Sequence, residues 1–178
     1  MKAIFHIGLI IVLAACQKPA VHKSQNLPDY KAYFEAEIKR LKTDKIVLRK
    51  TIVSGAEVYT NETEQPDWQN ELAVFTENAA IKPREAGQLV TDSAGLITGG
   101  YIVSVTATGE GGSKTIETVK NSAGQTERIT ILINRRGSIG NSDLTLTYLP
   151  GKGYDIMGVI QSRIGRTQYV DIHAERLN

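Results

Sequence analysis

Apolar and polar residues alternate over most of the second half of the chain. In the segment 125–135, for example, Ile129, Ile131 and Ile133 alternate with polar residues such as Thr130. A period of two with threonine on the polar side is typical of an antiparallel sheet that buries one face. The pattern predicts strands at 101–108, 114–121, 125–135, 141–149, 154–164 and 167–175, with an earlier pair of strands within 88–98.

Short turns that contain glycine separate these predicted strands. Because short connections favour the pairing of sequential strands, we expect an up-and-down meander. Two further strands, at 45–53 and 57–62, are joined through Ser54-Gly55, which is a typical hairpin signal.

The first half of the chain begins with apolar residues at helical spacing. Tyr30, Phe34, Ile38 and Leu41 form one stripe, and charged residues occupy the positions between them. Pro28 suits the start of a helix, where its missing N–H group costs nothing. These residues predict a helix shortly after Pro28.

A second helix is predicted at 67–77. Trp68, Leu72 and Phe75 follow one another at i, i+4 and i+7, and the Asp67 side chain is suited to cap the first turn. Trp68 is the only tryptophan of the chain. On this stripe we interpret it as a core residue rather than as a platform for a ligand.

These elements together predict an α+β fold in which two helices pack on a long, curved antiparallel β-meander, a partial barrel. The length suits a single domain, over 28–178. The chain has one cysteine, so no disulfide within it is available to support the core.

The N-terminal segment has the layout of a secretory signal peptide. Lys2 precedes a short apolar run, and Leu13-Ala14-Ala15 leads to Cys16. The apolar run is too short for a membrane-spanning helix, which needs ~20 apolar residues. The ending resembles the lipobox of bacterial lipoproteins. That resemblance implies cleavage before Cys16, a diacylglycerol on its sulfur, and acylation of the new N-terminus by a chain such as palmitate.

The chain therefore divides into a signal peptide at 1–15, a lipidated Cys16 with a flexible polar tether at 16–27, and the domain at 28–178. The tether spans roughly 18 Å as a flexible coil. Gln17 occupies the position where Asp favours retention at the inner membrane, so we expect anchoring at the outer membrane. The expected location is the bacterial cell envelope, with the membrane as a partner through the lipid anchor.

The charge balance excludes one class of partner. The chain carries 21 Lys and Arg side chains against 19 Asp and Glu, and few aromatic residues. Nucleic-acid binding is usually accompanied by a clustered basic face and a high pI of the domain. We therefore expect no nucleic-acid partner.

Positions in both helices and in the later hairpins form a recognisable set. They are Tyr33, Phe34, Glu37, Ile38, Leu41, Lys50, Thr51, Ile52, Asp67, Trp68, Glu71, Leu72, Phe75, Ile81, Lys82, Pro83, Tyr148, Pro150, Gly153, Tyr154, Ile156 and Gln161. This set is similar to that of small uncharacterised outer-membrane lipoproteins of Bacteroidetes-type bacteria. The resemblance implies a location and an architecture, and it implies no activity.

Basic residues suggest one candidate binding site. If the meander is correct, the loops at 109–114, 135–140 and 163–167 lie at one end of the sheet. Guanidinium groups there would suit the phosphate of a lipid or the carboxylates of an acidic polymer. The alternative is that these charges maintain solubility and discourage pairing of strand edges. The candidate anion-binding residues are Arg135, Arg136, Arg163, Arg166 and Lys114.

Other motifs have a structural interpretation. The segment 109–115 superficially resembles a phosphate-binding loop, but Ser113 separates its last glycine from Lys114 and a strand follows, so we predict a hairpin turn. Asp171, His173 and Glu175 alternate along one strand, where they would suit a metal ion or acid–base chemistry, or simply a solvated face. We expect no catalytic set, no metal ligands and no cofactor.

Ser93 is a candidate modification site. Asp92-Ser93-Ala94 resembles the short sequon for O-glycosylation in periplasmic proteins of Bacteroidetes-type bacteria.

The leading functional hypothesis is a membrane-anchored envelope lipoprotein with a non-enzymatic binding or structural role, whose partner is an envelope protein, a lipid or a glycan. The first alternative is a periplasmic carrier of lipids or lipoproteins with an apolar cavity between the sheet and the helices. Large residues on the inner face would fill such a cavity, whereas Gly99, Gly100 and Gly158 would leave room. The second alternative is a hydrolase.

Overall fold

The computed structural model describes residues 28–81, 88–96, 99–165 and 167–177. The signal segment, Cys16 with its tether, and Arg166 lie outside these ranges. The elements are α1 Tyr30–Leu41, β1 Val47–Ser54, β2 Glu57–Glu64, α2 Trp68–Glu71, α3 Ala73–Ala79, β3 Gln88–Gly95, β4 Tyr101–Gly109, β5 Gly112–Lys120, β6 Thr126–Arg136, β7 Gly140–Leu149, β8 Gly153–Ser162 and β9 Thr167–Leu177.

One antiparallel sheet of nine strands contains every strand of the described residues, in the order β2-β1-β9-β8-β7-β6-β5-β4-β3. Strands β3 to β9 form the predicted up-and-down meander. The β1–β2 hairpin joins the meander through β1, which pairs with β9. The sheet is open, with β2 and β3 as its edges. The prediction of two strands within 88–98 was wrong, since the described part of this segment forms the single strand β3.

One face of the sheet, which we call the helix face, carries the apolar residues of the alternating pattern. Burial along one row of this face decreases across the sheet, from complete at β4 to β7 to 57% exposed at Tyr59 of β2. Along this row the helices therefore cover β4 to β7 and leave Ile52 of β1 and Tyr59 of β2 exposed. The row consists of the cross-strand neighbours Val105, Ile116, Ile131, Leu146, Ile156, Ile172, Ile52 and Tyr59.

Helix α1 forms where its apolar stripe predicts it. The Asp29 side chain accepts a hydrogen bond from the backbone N–H of Ala32, which caps the first turn. The four residues of the stripe are all buried against the sheet and the other helices. None of the helices in the described ranges has the length and apolarity needed to span a membrane.

The helix predicted at 67–77 is two short helices, so this prediction was wrong in its continuity. Asp67 caps α2 as expected, and the chain bends at Leu72 before α3 begins. The hydroxyl of Thr76 donates a hydrogen bond to the carbonyl oxygen of Leu72, a contact that often bends helices. The bend keeps the predicted stripe inside: Leu72 and Phe75 are fully buried, and Trp68 is 5% exposed.

Aromatic rings fill the space between the helices and the sheet. The ring centroid of Phe34 lies 5.5 Å from that of Phe75 and 5.4 Å from that of Tyr148. The cluster of aromatic rings continues to Tyr154, whose ring centroid lies 5.6 Å from that of Phe75. Tilted and edge-on pairs at these distances are favourable beyond the area that they bury. The core beneath the helices is therefore packed with large side chains.

Candidate binding site at the loop end

Three turns meet at one end of the sheet, which we call the loop end: the β4–β5, β6–β7 and β8–β9 connections. The backbone N–H of Arg136 donates to the carbonyl oxygen of Gly111 at 2.9 Å, which joins the first two turns. The N–H of Arg163 donates to the carbonyl oxygen of Ile139 at 3.1 Å, which joins the last two. The segment 109–115 is the predicted hairpin.

A cavity of about 650 Å³ opens at the loop end, on the helix face of β4 to β8. Its lining is mostly apolar or backbone, because glycines of the turns surround the side chains of Ile133 and Ile160. Ligand sites for small molecules typically have volumes of about 300–1,000 Å³ and few polar groups. The cavity is therefore of a size and character that suit a small ligand with an apolar part.

Arg135 and Arg136 lie on opposite faces of the sheet, because successive side chains of a strand alternate. Arg135 lies on the helix face, where it lines the cavity and donates a 3.0 Å hydrogen bond from Nη2 to Oδ1 of Asn78. The Arg136 guanidinium contacts both carboxylate oxygens of Asp143, at 3.0 and 3.1 Å. Both arginines line the cavity, but their side chains point to opposite faces of the sheet, and only that of Arg136 is paired with a carboxylate.

Asn78 fixes the position of the Arg135 guanidinium. Asn78 is 9% exposed, and its Nδ2 donates a 2.8 Å hydrogen bond to the carbonyl oxygen of Val74 within α3. That bond orients the amide so that Oδ1 is available to Arg135. Helix α3 thus places a neutral hydrogen-bond acceptor beside the cavity, and this acceptor does not neutralise the positive charge of Arg135.

Lys114 also lines the cavity, but it is only 4% exposed. Its Nζ donates a 2.9 Å hydrogen bond to the carbonyl oxygen of Ala80, just after α3. Lys114 therefore ties the end of α3 to β5.

Of the other two predicted basic residues, Arg163 is exposed in the β8–β9 turn. The prediction for Arg166 lies outside the described residues. The described residues that line the cavity include Lys114, Arg135 and Arg136 and no aspartate or glutamate.

Asp171, His173 and Glu175 all lie on the outer face, opposite the helix face. His173 pairs through Nδ1 with Asp155, and Glu175 pairs with Arg49 at 2.9 Å. Within the described ranges, no group of three or more His, Cys, Asp or Glu side chains is arranged to hold a metal ion. Cross-strand pairs on a solvated face account for this row.

We expected glycines to leave room beneath the helices. At Gly100 and Gly158 the missing side chain instead allows the backbone of the neighbouring strand to lie close. A Cβ atom at Gly158 would lie 2.1 Å from the carbonyl oxygen of Asp143 on the next strand, and one at Gly100 would lie 2.3 Å from that of Lys120. These positions allow a close approach of strands. The cavity of about 650 Å³ lies at the loop end.

Ser93, the candidate for O-glycosylation, is exposed on the edge strand β3. Its backbone N–H donates a 2.8 Å hydrogen bond to Oδ1 of Asp92. Its modification stays a prediction.

Asn78 and Ile160 were not predicted as site residues. Asn78 follows the last residue of the helix predicted at 67–77, and nothing nearby in the sequence indicates a partner in β6. Comparison with protein-family models, curated proteins and solved structures finds no match to this chain.

Proposed function

We propose that this protein is a membrane-anchored lipoprotein of the bacterial cell envelope, with a non-enzymatic role, that binds a small ligand in the loop-end cavity. The cavity itself is the observation that supports binding most directly. Its volume of about 650 Å³ and its aliphatic and glycine lining are those of a ligand site.

The location of the cavity changes where a carrier of lipids or lipoproteins would hold its ligand. Phe34, Phe75 and Tyr148 occupy the space under the helices, so an apolar ligand would not fit there without displacing the core. A lipid carrier of this fold would hold its cargo at the loop end. The curvature of the open sheet into a partial barrel is part of the proposal, since it would bring β4 and β8 around the ligand.

The anchor is the second part of the proposal. It rests on the lipobox resemblance that ends at Cys16, with Gln17 favouring the outer membrane. A protein held near a bilayer by a short tether meets lipids and their breakdown products at high local concentration. This setting is consistent with an apolar binding cavity.

Native mass spectrometry of the full lipoprotein, purified from the cell envelope into lipid nanodiscs, tests the binding role. We expect a second, non-covalent mass in addition to the covalent lipid. Ser142 lies on the helix face beside Arg135 and lines the cavity, so Ser142→Trp should fill the space and remove this mass.

Thr145→Trp is the matched control, because Thr145 lies three residues further along β7 on the outer face. It should leave the co-purified mass unchanged. A protein that carries no bound species, and that acquires none when incubated with an envelope lipid extract, would contradict the binding role. A species that persists in Ser142→Trp would place binding elsewhere.

A further inference from the structure

The charge of the loop-end cavity points to the chemical class of its ligand. Four of the described arginines, Arg40, Arg49, Arg136 and Arg176, are paired with carboxylates, whereas Arg128, Arg135 and Arg163 form no such pair among the described residues, and of these three only Arg135 lines the cavity. Arg135 has no such pairing among the described residues, and its hydrogen bond goes to the neutral amide of Asn78.

The contact with Asn78 uses only part of the guanidinium. Arginine has five N–H donors in a planar fork that matches a carboxylate or a phosphate. The amide of Asn78 is held by its own bond to Val74, so it restrains one end of the exposed Arg135 guanidinium at the cavity. A fixed guanidinium loses less entropy when an anion binds than a mobile one.

Two aliphatic side chains of the cavity lining lie on the same face of the sheet as Arg135. Ile133 precedes Arg135 by two residues on the same face of β6, and Ile160 of β8 pairs with Ser142 of β7, which is itself paired with Arg135. Ile133 is 3% exposed and Ile160 is 37% exposed. The cavity thus combines one positioned cation with an apolar wall.

We propose that the ligand is a single-chain amphiphile with an anionic head, such as a fatty acid or a lysophospholipid. Arg135 binds the head, and the chain lies against Ile133 and Ile160. Asn78 is a positioning residue that holds the guanidinium. This inference rests on the proposed binding role, and it adds the requirement for a negative charge on the head.

Photoreactive probes test this requirement in the full lipoprotein, in nanodiscs of zwitterionic lipid. Each probe carries a diazirine in a chain of about sixteen carbons, a size that suits a small-molecule cavity. The probes are the carboxylic acid, the lysophosphatidic acid and the alcohol. Peptide mapping after irradiation reports where each probe is attached. We expect the two anionic probes to label peptides of the loop end, at concentrations at least about tenfold lower than the alcohol requires.

Arg135→Gln removes the charge and should raise the concentration of anionic probe needed for half-maximal labelling by at least about tenfold. The matched control is Arg128→Gln, which makes the same change on the outer face of the same strand, at a residue that does not line the cavity, and it should change this concentration less than about twofold. Asn78→Ala should weaken the labelling by the anionic probes and leave that by the alcohol unchanged. Far-ultraviolet circular dichroism verifies that each variant is folded.

The outcomes separate the two proposals. Equal labelling by the alcohol and the acid, or equal effects of Arg135→Gln and Arg128→Gln, would overturn the anionic head while the binding role stands. Absence of loop-end labelling by all probes would overturn the amphiphile, and the mass spectrometry described above decides the binding role independently. A preference for the phosphate over the carboxylate identifies a lysophospholipid as the source, and the reverse identifies a fatty acid.

Discussion

The hydroxyl of Tyr148 in β7 donates a 2.7 Å hydrogen bond to Oε1 of Glu37 in α1. Glu37 is 9% exposed, and its carboxylate also accepts two hydrogen bonds from Arg40, at 2.8 and 2.9 Å. A buried carboxylate is costly unless it is paired and fully hydrogen-bonded. This contact therefore fixes α1 on the sheet at a defined position, and not merely by apolar burial.

A second contact of the same kind holds α2. Tyr154, at the start of β8, donates to Glu71, and Lys50 of β1 donates to the same carboxylate at 2.7 Å. Tyr148 and Tyr154 are cross-strand partners on either side of the β7–β8 turn. One pair of tyrosines thus connects both N-terminal helices to the sheet.

Replacement of Glu37 should change the dependence of stability on pH. Burial raises the pKa of Glu37, but the hydrogen bonds from Arg40 and Tyr148 and the charge of Arg40 lower it by more, so its pKa lies below the usual value. The stability from Glu37 is then present above the unfolded pKa of ~4.3 and is lost as the pH falls through the folded pKa. Glu37→Gln should cost about 1–3 kcal/mol at pH 7 and less in acid.

Urea denaturation at pH 7 and at acidic pH measures this difference. Glu35→Gln is the control, since Glu35 lies on the exposed side of α1 in an ion pair with Lys31. Its effect should be small at both pH values. An equal loss of stability for Glu37→Gln at neutral and acidic pH would contradict the ionised, hydrogen-bonded carboxylate.

Truncation of Trp68 should destabilise the fold strongly. Trp68 is 5% exposed in α2, which confirms the sequence-based interpretation that it belongs to the core. Trp68→Ala should therefore cost about 3–5 kcal/mol. Because the variant has no tryptophan, denaturation is best followed by far-ultraviolet circular dichroism. A change near zero would show that this side chain is not packed as described.

An added methyl group at Gly158 should also be costly. The φ angle of Gly158 is +156°, and its Cβ would meet the backbone of Asp143 and Leu144. Gly158→Ala should cost at least about 1 kcal/mol, since the strands would have to separate. Gly95→Ala is the comparison, because nothing lies within 4 Å of a Cβ there. Equal thermal midpoints for the two variants would rule out the close strand contact.

Removal of the proposed lipid anchor should release the protein from membranes. Cys16→Ala eliminates the only sulfur that a diacylglycerol can modify in this chain. Fractionation of cells should then find the variant outside the membrane fraction, whereas the parent protein needs detergent for extraction. If the variant stays in the membrane with the same detergent requirement, the lipobox interpretation is wrong.

The meander was predictable because its signal is local. Alternation such as Ile129, Thr130 and Ile131 identifies strands, and short turns leave few choices of pairing. The pairing of β1 with β9 was not predictable in this way. These strands are more than a hundred residues apart in the chain, so no local pattern indicates that they pair.

The candidate site was predictable only in part. Turns at one end of a meander must lie together, so the sequence indicates where the basic residues gather. Strand alternation also implies that Arg135 and Arg136 face opposite sides of the sheet, but a list of the basic residues near one end of the sheet does not take account of this. The contact of Arg135 with Asn78 spans 57 residues and depends on how far α3 extends over the sheet, which no local pattern reports.

Hydrogen–deuterium exchange of the full lipoprotein in nanodiscs, with and without the carboxylic acid probe, tests most directly whether the loop-end cavity is the binding site. We expect slower exchange in the β4–β5 turn, in the end of β6 and the start of β7, and in the end of β8, with no change in β2. Ser142→Trp should abolish this protection. Protection confined to β2 and β1, or equal protection in Ser142→Trp, would contradict binding in the cavity.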